Sequence, residues 1–171
     1  MMMLIQKLPQ PVIAKVHGIA TAAGCQLVAT CDLAVAEAST KFGVNGVNIG
    51  LFCSTPMVAL SRNISRKQAF EMLTTGEFIT ADQAKTLGLV NRVASIDKFE
   101  AETEDLAEKI ASKLGAAVKI GKEAFYKQLE MPLIEAYEYT GQVMAENMML
   151  RQTEKGIDAF LNKLEPAWEQ D

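Results

Sequence analysis

The sequence has one histidine and three cysteines in 171 residues. Cys25, Cys31 and Cys53 form no Cys-x-x-Cys pair and are too few for a disulfide framework, so we expect buried thiols in a reducing compartment. A Ser-His-Asp triad or a multi-histidine metal site would have to rely on His17 alone. The sequence therefore favours a hydrogen-bonded histidine at a strand end, and no metal site is predicted.

Phosphate-binding loops, long apolar runs and an excess of positive charge are also missing. Neither a Gly-x-Gly-x-x-Gly motif nor a Walker loop is present, which argues against nucleotide binding of those kinds. The apolar runs fall far short of the ~18 residues of a membrane span, and residues 1–8 lack the cleavage site of a signal peptide. A formal net charge of −4 gives no basic footprint for nucleic acid.

The composition of the sequence is typical of a folded, globular chain. Hydrophobic residues make up 49% of the sequence and charged residues 22%, which excludes a disordered chain, a collagen and a coiled coil. The length predicts about one domain. The apolar fraction is slightly high, which indicates surface meant for a partner subunit or a missing segment.

The first half of the chain reads as a strand–helix–strand unit of the α/β class. Val12–Val16 is predicted to be a buried strand, and Cys25–Cys31 a short helix that Asp32 ends before a second strand at Leu33–Ala36. Further signals are a short strand at 41–44, a turn at Asn45-Gly46, and a helix start with Thr55 as N-cap and Pro56 at the first helical position.

The second half has helical spacing throughout. One predicted helix covers 66–74 with Ala69, Phe70 and Leu73 on one face. Thr80 has the spacing of a capping box, Gly88 that of a C-terminal cap, and a short strand is predicted at 89–94. Apolar faces mark three longer helices through residues 99–114, 118–129 and 133–148, and the last helix covers 153–164. The methionines at 144, 148 and 149 are interpreted as core or subunit interface.

Small residues at 20–24 lead into the first predicted helix. They leave backbone N–H groups uncovered at the positive end of the helix dipole, a place that can stabilise a developing oxyanion. The same residues would also permit close packing of a helix on a strand. The composition of this segment by itself favours the packing interpretation.

The motifs of the chain, taken in order, resemble those of the enoyl-CoA hydratase/isomerase (crotonase) family. The resemblance spans residues 9–168, and its segments are PVIAKVHG at 11–18, AAGCQL at 22–27, CDLAVA at 31–36, FG at 42–43, GL at 50–51, EMLTTG at 71–76 and ITA at 79–81. It implies an α/β fold built as a spiral of β-β-α units. Residues 1–94 would then be the C-terminal portion of the core, including helices at 55–88, and residues 95–171 a helical trimerisation region. The run at 45–56 looks most like one subgroup of this family.

The resemblance also implies a ligand and a set of site residues. The ligand would be an acyl-CoA thioester, bound as substrate with no further cofactor, in a homotrimer or a hexamer. The N–H of Ala23 would be one of two donors to the thioester oxygen, and Gly24, Phe160 and Lys163 would contact the ligand. A complete family member has a substantial part before the strand at Val12, carrying the other donor, and we expect this chain to lack it.

The catalytic positions depart from the family pattern. The two glutamates that serve hydratases as acid and base fall on Gln26 and Gly46, which cannot exchange a proton near neutral pH. Each lost group would cost roughly 10²–10⁴-fold in rate. Asn45 and Asn48, beside Gly46, could only orient water or a carbonyl group.

Three functions follow from this pattern. The chain is an enoyl-CoA hydratase/isomerase-like enzyme of fatty acid metabolism that polarises a thioester through Ala23, a non-catalytic acyl-CoA binder or regulator, or a subunit that acts by assembly. It would be mitochondrial in a eukaryote, although no transit peptide is visible, and cytoplasmic in a bacterium.

Overall fold

The structure is a computed structural model that describes residues 1–168. Within that range it has six short strands: β1 (Ile13–Val16), β2 (Ile19–Thr21), β3 (Leu33–Glu37), β4 (Lys41–Gly43), β5 (Ile79–Thr80) and β6 (Arg92–Ala94). The same range has nine α-helices: α1 (Met2–Lys7), α2 (Ala23–Thr30), α3 (Ser54–Asn63), α4 (Arg66–Thr75), α5 (Ala81–Leu87), α6 (Phe99–Ala111), α7 (Gly115–Gln128), α8 (Leu133–Met148) and α9 (Arg151–Leu161). A 3-10 helix covers Asn45–Ile49.

The chain divides into two compact units. The first consists of Met1–Ile5 and Pro11–Ala107, and the second of Gln6–Gln10 and the chain from Glu108 onward. All six strands belong to the first unit. The second unit is helical, as the sequence predicts for the C-terminal half.

One sheet of the first unit has the order β1-β3-β6, with both pairs parallel. The predicted strand–helix–strand unit is confirmed, because α2 follows β1 and β2 and leads into β3. The helix ends at Thr30 with Cys31 as its C-cap, just before Asp32. Asp32 joins the strands, since its Oδ2 accepts a hydrogen bond of 2.6 Å from the Val12 N–H. β3 is buried along four of its five residues, which is typical of a parallel strand covered on both faces.

The second sheet positions the residues that lead into α2. β2 pairs with β4 in parallel, with Ala20 beside Phe42 and Thr21 beside Gly43, and β5 pairs with β4 in the antiparallel sense. Phe42 is fully buried, and Leu60 is 1% exposed in the same core. This sheet therefore holds the residues before α2 and those before the 3-10 helix side by side.

The helix caps confirm some local predictions and correct others. Thr80 and Gln83 form the predicted capping box, and Gly88 ends α5 in the left-handed conformation. Thr55 is not an N-cap, because α3 begins at Ser54 and Cys53 precedes it. Pro56 lies inside the first turn, where its missing N–H would have had no helical partner. Asn45 and Gly46 begin the 3-10 helix instead of forming a simple turn.

Several predicted apolar faces are exposed. In α4, Ala69, Met72 and Leu73 are buried, whereas Phe70 is 62% exposed. In α8 only Ala136 is buried, and the predicted face is open, including Met144 and Met148. Periodicity locates a helix but does not show which side packs. These methionines are therefore not core residues of the described chain, and their interpretation as a subunit interface stays a prediction.

The second unit has a polar anchor in its interior. Lys122 is 8% exposed and its ammonium donates a 2.9 Å hydrogen bond to the carbonyl of Gln10. None of the helices within residues 1–168 is both long and apolar enough to cross a membrane.

Candidate functional site

The start of α2 is held by one residue in an unusual backbone conformation. Ala22, the N-cap, has φ 46° and ψ −113°, a region that residues with a Cβ rarely adopt. Its N–H donates to the Gly43 carbonyl at 2.9 Å, and its carbonyl accepts from the Gln26 N–H at 2.9 Å. These two bonds fix the turn, and strain of this kind is concentrated at functional sites.

The turn exposes unbonded backbone donors. Ala23 and Gly24 are exposed, α2 has no side-chain cap, and their N–H groups donate to no group in residues 1–168. The positive end of the helix dipole lies behind these donors. The arrangement can hold an oxygen atom that carries partial negative charge.

Gln26 lies on the same side of α2 as Ala23, because residues three apart on a helix are neighbours. It is half-buried, and its side-chain amide has no hydrogen-bond partner within the described residues. An amide does not titrate near neutral pH. Gln26 can therefore donate and accept hydrogen bonds, but it cannot take or deliver a proton.

Gly46 has no room for a side chain. A Cβ at this position would lie 2.7 Å from the carbonyl oxygen of Leu51 and 2.9 Å from Sγ of Cys53. Two hydrogen bonds hold this close packing: the Gly46 N–H donates to Cys53 Sγ at 3.3 Å, and the Gly46 carbonyl accepts from the Leu51 N–H at 3.0 Å. The loop therefore leaves no space for a side chain at position 46.

Asn45 and Asn48 have different roles. Asn45 Oδ1 accepts a hydrogen bond of 2.5 Å from the hydroxyl of Thr21, which joins the 3-10 helix to the last residue of β2. Asn48 instead donates to the carbonyl of Gly76, at 3.2 Å, and so ties the loop to the end of α4. Sequence reasoning missed Thr21, because its contact depends on the pairing of β2 with β4.

The thiol of Cys25 is not poised for proton transfer. Burial raises the pKa of Cys25 to about 12, against the lowering effect of a backbone hydrogen bond at Gly43, and the nearby Cys53 raises it further. All three cysteines are free, as predicted. Residues 18–31 and 42–61, which we call the two arms of the site, contain no Asp, Glu, Lys, Arg or His.

The remaining predicted site residues lie in the second unit. Phe160 is on α9 and is 79% exposed. Lys163 follows the end of α9 with φ 56°, and its N–H donates to the Phe160 carbonyl at 3.1 Å. The structure thus brings Ala23, Gly24 and Gln26 together at one helix end, beside the loop of Gly46. His17, by contrast, is an exposed residue at the end of β1.

Comparison with protein families gives one match along the whole chain. The model of the enoyl-CoA hydratase/isomerase family matches residues 1–171. Enoyl-CoA hydratase domain-containing protein 3, mitochondrial, is 50% identical to this chain in mouse over 167 residues, and 51% identical in human over 170 residues. The matches cover 98% and 99% of this chain, but only 56% of either relative.

Solved structures agree with these matches. Enoyl-CoA hydratase of Mycobacterium smegmatis superposes with a TM-score of 0.97 at 57% identity, covering 99% of this chain and 66% of that one. Human enoyl coenzyme A hydratase domain-containing protein 3 superposes with a TM-score of 0.95 at 52% identity, covering 98% of this chain and 66% of that one. The predicted fold and the predicted subgroup are both confirmed.

Proposed function

The chain belongs to the enoyl-CoA hydratase/isomerase family, and from that membership we propose that it binds an acyl-CoA thioester in the manner of an enoyl-CoA hydratase or isomerase. The thioester oxygen accepts a hydrogen bond from the N–H of Ala23, with Gly24 beside it. The observation that carries this proposal is the exposed start of α2, where these donors have no partner in the described chain. No cofactor beyond the thioester itself is required.

Polarisation of the thioester is the chemistry that these residues support. Fixed backbone donors stabilise the enolate charge that develops on the oxygen, and each such donor contributes ~10²–10³-fold in comparable sites. Proton transfer is a separate requirement of hydration. Neither Gln26 nor Gly46 supplies it, and the two arms hold no other carboxylate or imidazole.

A second candidate function is binding without turnover, in a regulatory or assembly subunit of fatty acid metabolism. The packing around Gly46 favours it, because the backbone there leaves no space for a catalytic side chain.

In either case, Phe160 and Lys163 are proposed contacts to CoA, with Lys163 as a point charge for a phosphate. A homotrimer or hexamer built through the helical region at 95–171 is proposed for the assembly.

Two relatives carry the word mitochondrial in their names. We therefore propose the mitochondrion as the compartment in a eukaryotic source, and the cytoplasm in a bacterial one.

Calorimetric titration with crotonyl-CoA tests the binding proposal, with free CoA as the control ligand. One oxyanion hydrogen bond contributes about 0.5–1.5 kcal/mol, so crotonyl-CoA should bind roughly 2–10-fold more tightly than CoA. A folded sample that binds neither ligand, or binds both equally, would contradict thioester recognition at Ala23.

Substitution of Gln26 by Ala separates the two candidate functions. An enzyme should lose turnover of crotonyl-CoA, measured by the loss of enoyl absorbance. A binder should show no turnover before the substitution and nearly the same affinity after it. A chain that acts by assembly alone should show no affinity for crotonyl-CoA by itself.

A further inference from the structure

The hydrogen bond between Thr21 and Asn45 fixes the orientation of one amide in the site. The bonded atoms are Oγ1 of Thr21 and Oδ1 of Asn45. An amide oxygen carries no hydrogen, so Thr21 donates and the carbonyl oxygen of Asn45 accepts. The amide nitrogen of Asn45 is left with two N–H donors and no partner within residues 1–168.

This amide lies beside the start of α2. Thr21 precedes the strained Ala22, and the Ala22 N–H donates to Gly43, two residues before Asn45. A backbone bond and a side-chain bond thus join the two arms at the same level. Asn45 is partly exposed, and its partner Thr21 lies two residues before Ala23 along the chain, so we place its amide at the edge of a ligand seated at Ala23.

The donors around this point outnumber the acceptors, and no acidic group faces them from the two arms. Ala23 and Gly24 supply backbone N–H groups, and Asn45 and Gln26 supply amide N–H groups. In a hydratase of the family pattern, two glutamates would occupy the positions of Gln26 and Gly46. Those carboxylates would repel an acyl group that is itself anionic, whereas neutral amides attract it.

Resting on the proposed thioester binding, we propose that this site selects acyl-CoA thioesters whose acyl group carries a carboxylate. The amide nitrogen of Asn45 donates to that carboxylate, and Thr21 is the positioning residue that aims it. Hydrogen bonds to a charged acceptor are about twice as strong as neutral ones. We therefore expect the carboxylated thioester to bind about tenfold to a hundredfold more tightly than the matched uncharged thioester.

The test compares matched ligands by calorimetry on the whole chain. Succinyl-CoA and butyryl-CoA differ by a carboxylate in place of a methyl group, as do malonyl-CoA and propionyl-CoA. We expect the carboxylated member of at least one pair to bind at least tenfold more tightly. Asn45→Ala and Thr21→Val should reduce this ratio of dissociation constants to near one, and Asn45→Asp should reverse it.

Two further variants test whether the change in the ratio arises only from a structural disturbance. Thr21→Ser keeps the hydroxyl and should restore the ratio that Thr21→Val loses. Asn48→Ala is the matched control, because Asn48 lies in the same 3-10 helix but bonds to Gly76, and it should keep the ratio. Circular dichroism confirms that each variant is folded.

The outcomes separate this inference from the function on which it rests. If butyryl-CoA and propionyl-CoA bind as tightly as their carboxylated partners, the selectivity is refuted while thioester binding stands. A ratio that survives Asn45→Ala also refutes it. If no thioester binds to the folded chain, the proposed function fails and this inference fails with it.

Discussion

Replacing Ala22 by glycine should stabilise the protein, although most alanine-to-glycine changes do the opposite. Ala22 has φ 46° and ψ −113°, where the Cβ of an L-residue is strained and glycine is not. The backbone there is held by bonds to Gly43 and Gln26 that glycine keeps. The substitution therefore removes strain without removing a hydrogen bond.

The size of the effect follows from three contributions. Relief of the backbone strain at a residue in this region stabilises the folded protein by about 1–3 kcal/mol. Glycine makes the unfolded chain more flexible, which costs about 0.5–1 kcal/mol. The lost methyl group is only partly buried, so it costs less than about 0.8 kcal/mol. The net gain is about 1 kcal/mol, or a rise of about 2–4 °C in Tm for a chain of this length.

Ala23→Gly is the matched control, one residue further along the chain. Ala23 is exposed and is the first residue of α2, with no positive φ, so glycine gives only the entropic penalty of about 0.5–1 kcal/mol. Thermal unfolding followed by circular dichroism measures both variants at one pH. The Tm should rise for Ala22→Gly and fall for Ala23→Gly.

A fall of similar size in both variants would refute the reasoning, because it would mean that Ala22 carries no strain. A rise in both would also refute it, since the explanation would then lie in α2 as a whole. Urea unfolding with an unchanged m-value would show that parent and variant expose the same surface on unfolding, so that the shift in midpoint measures the change in stability.

Two other predictions concern stability. Gly46→Ala should lower the free energy of unfolding by about 1–3 kcal/mol, because its Cβ meets Leu51 and Cys53 within 3 Å; urea unfolding measures this, and a neutral result would show that the loop adjusts freely. A hydrogen bond from the Ser39 hydroxyl lowers the pKa of Glu37, helped by the Ser39 backbone and by His17, so the folded protein holds the proton less tightly than the unfolded chain. The stabilisation by ionised Glu37 is present above its unfolded pKa of about 4.3 and is lost as the pH falls below that value. The Tm of Glu37→Gln should therefore approach the Tm of the parent between pH 6 and pH 3. A difference in Tm that stays constant over this range would contradict the prediction.

Sequence patterns predicted the elements whose signals are local. The capping box at Thr80 begins α5, because it depends on residues within a few positions, and the end of α2 was predicted to within one residue. The exposed Phe70 was not predictable, since a helical period gives a face but not its partner. Family motifs located Ala23 and Gln26, again by local spacing.

The rest of the site depends on contacts between distant segments. Thr21 meets Asn45 across 24 residues because β2 and β4 pair in a particular register, which no short pattern encodes. The strain at Ala22 is likewise imposed by Gly43 from the neighbouring strand. The sequence shows a glycine at position 46, but it does not show that the space beside its backbone is filled.

That filled space has a consequence for how the chain can change over generations. One codon change could place an acid at position 46. Leu51 and Cys53 occupy the volume that its side chain would enter, so such a change lowers stability before it can add any chemistry. An acid at this position needs the loop to be reshaped first, and packing alone is therefore enough to keep glycine there.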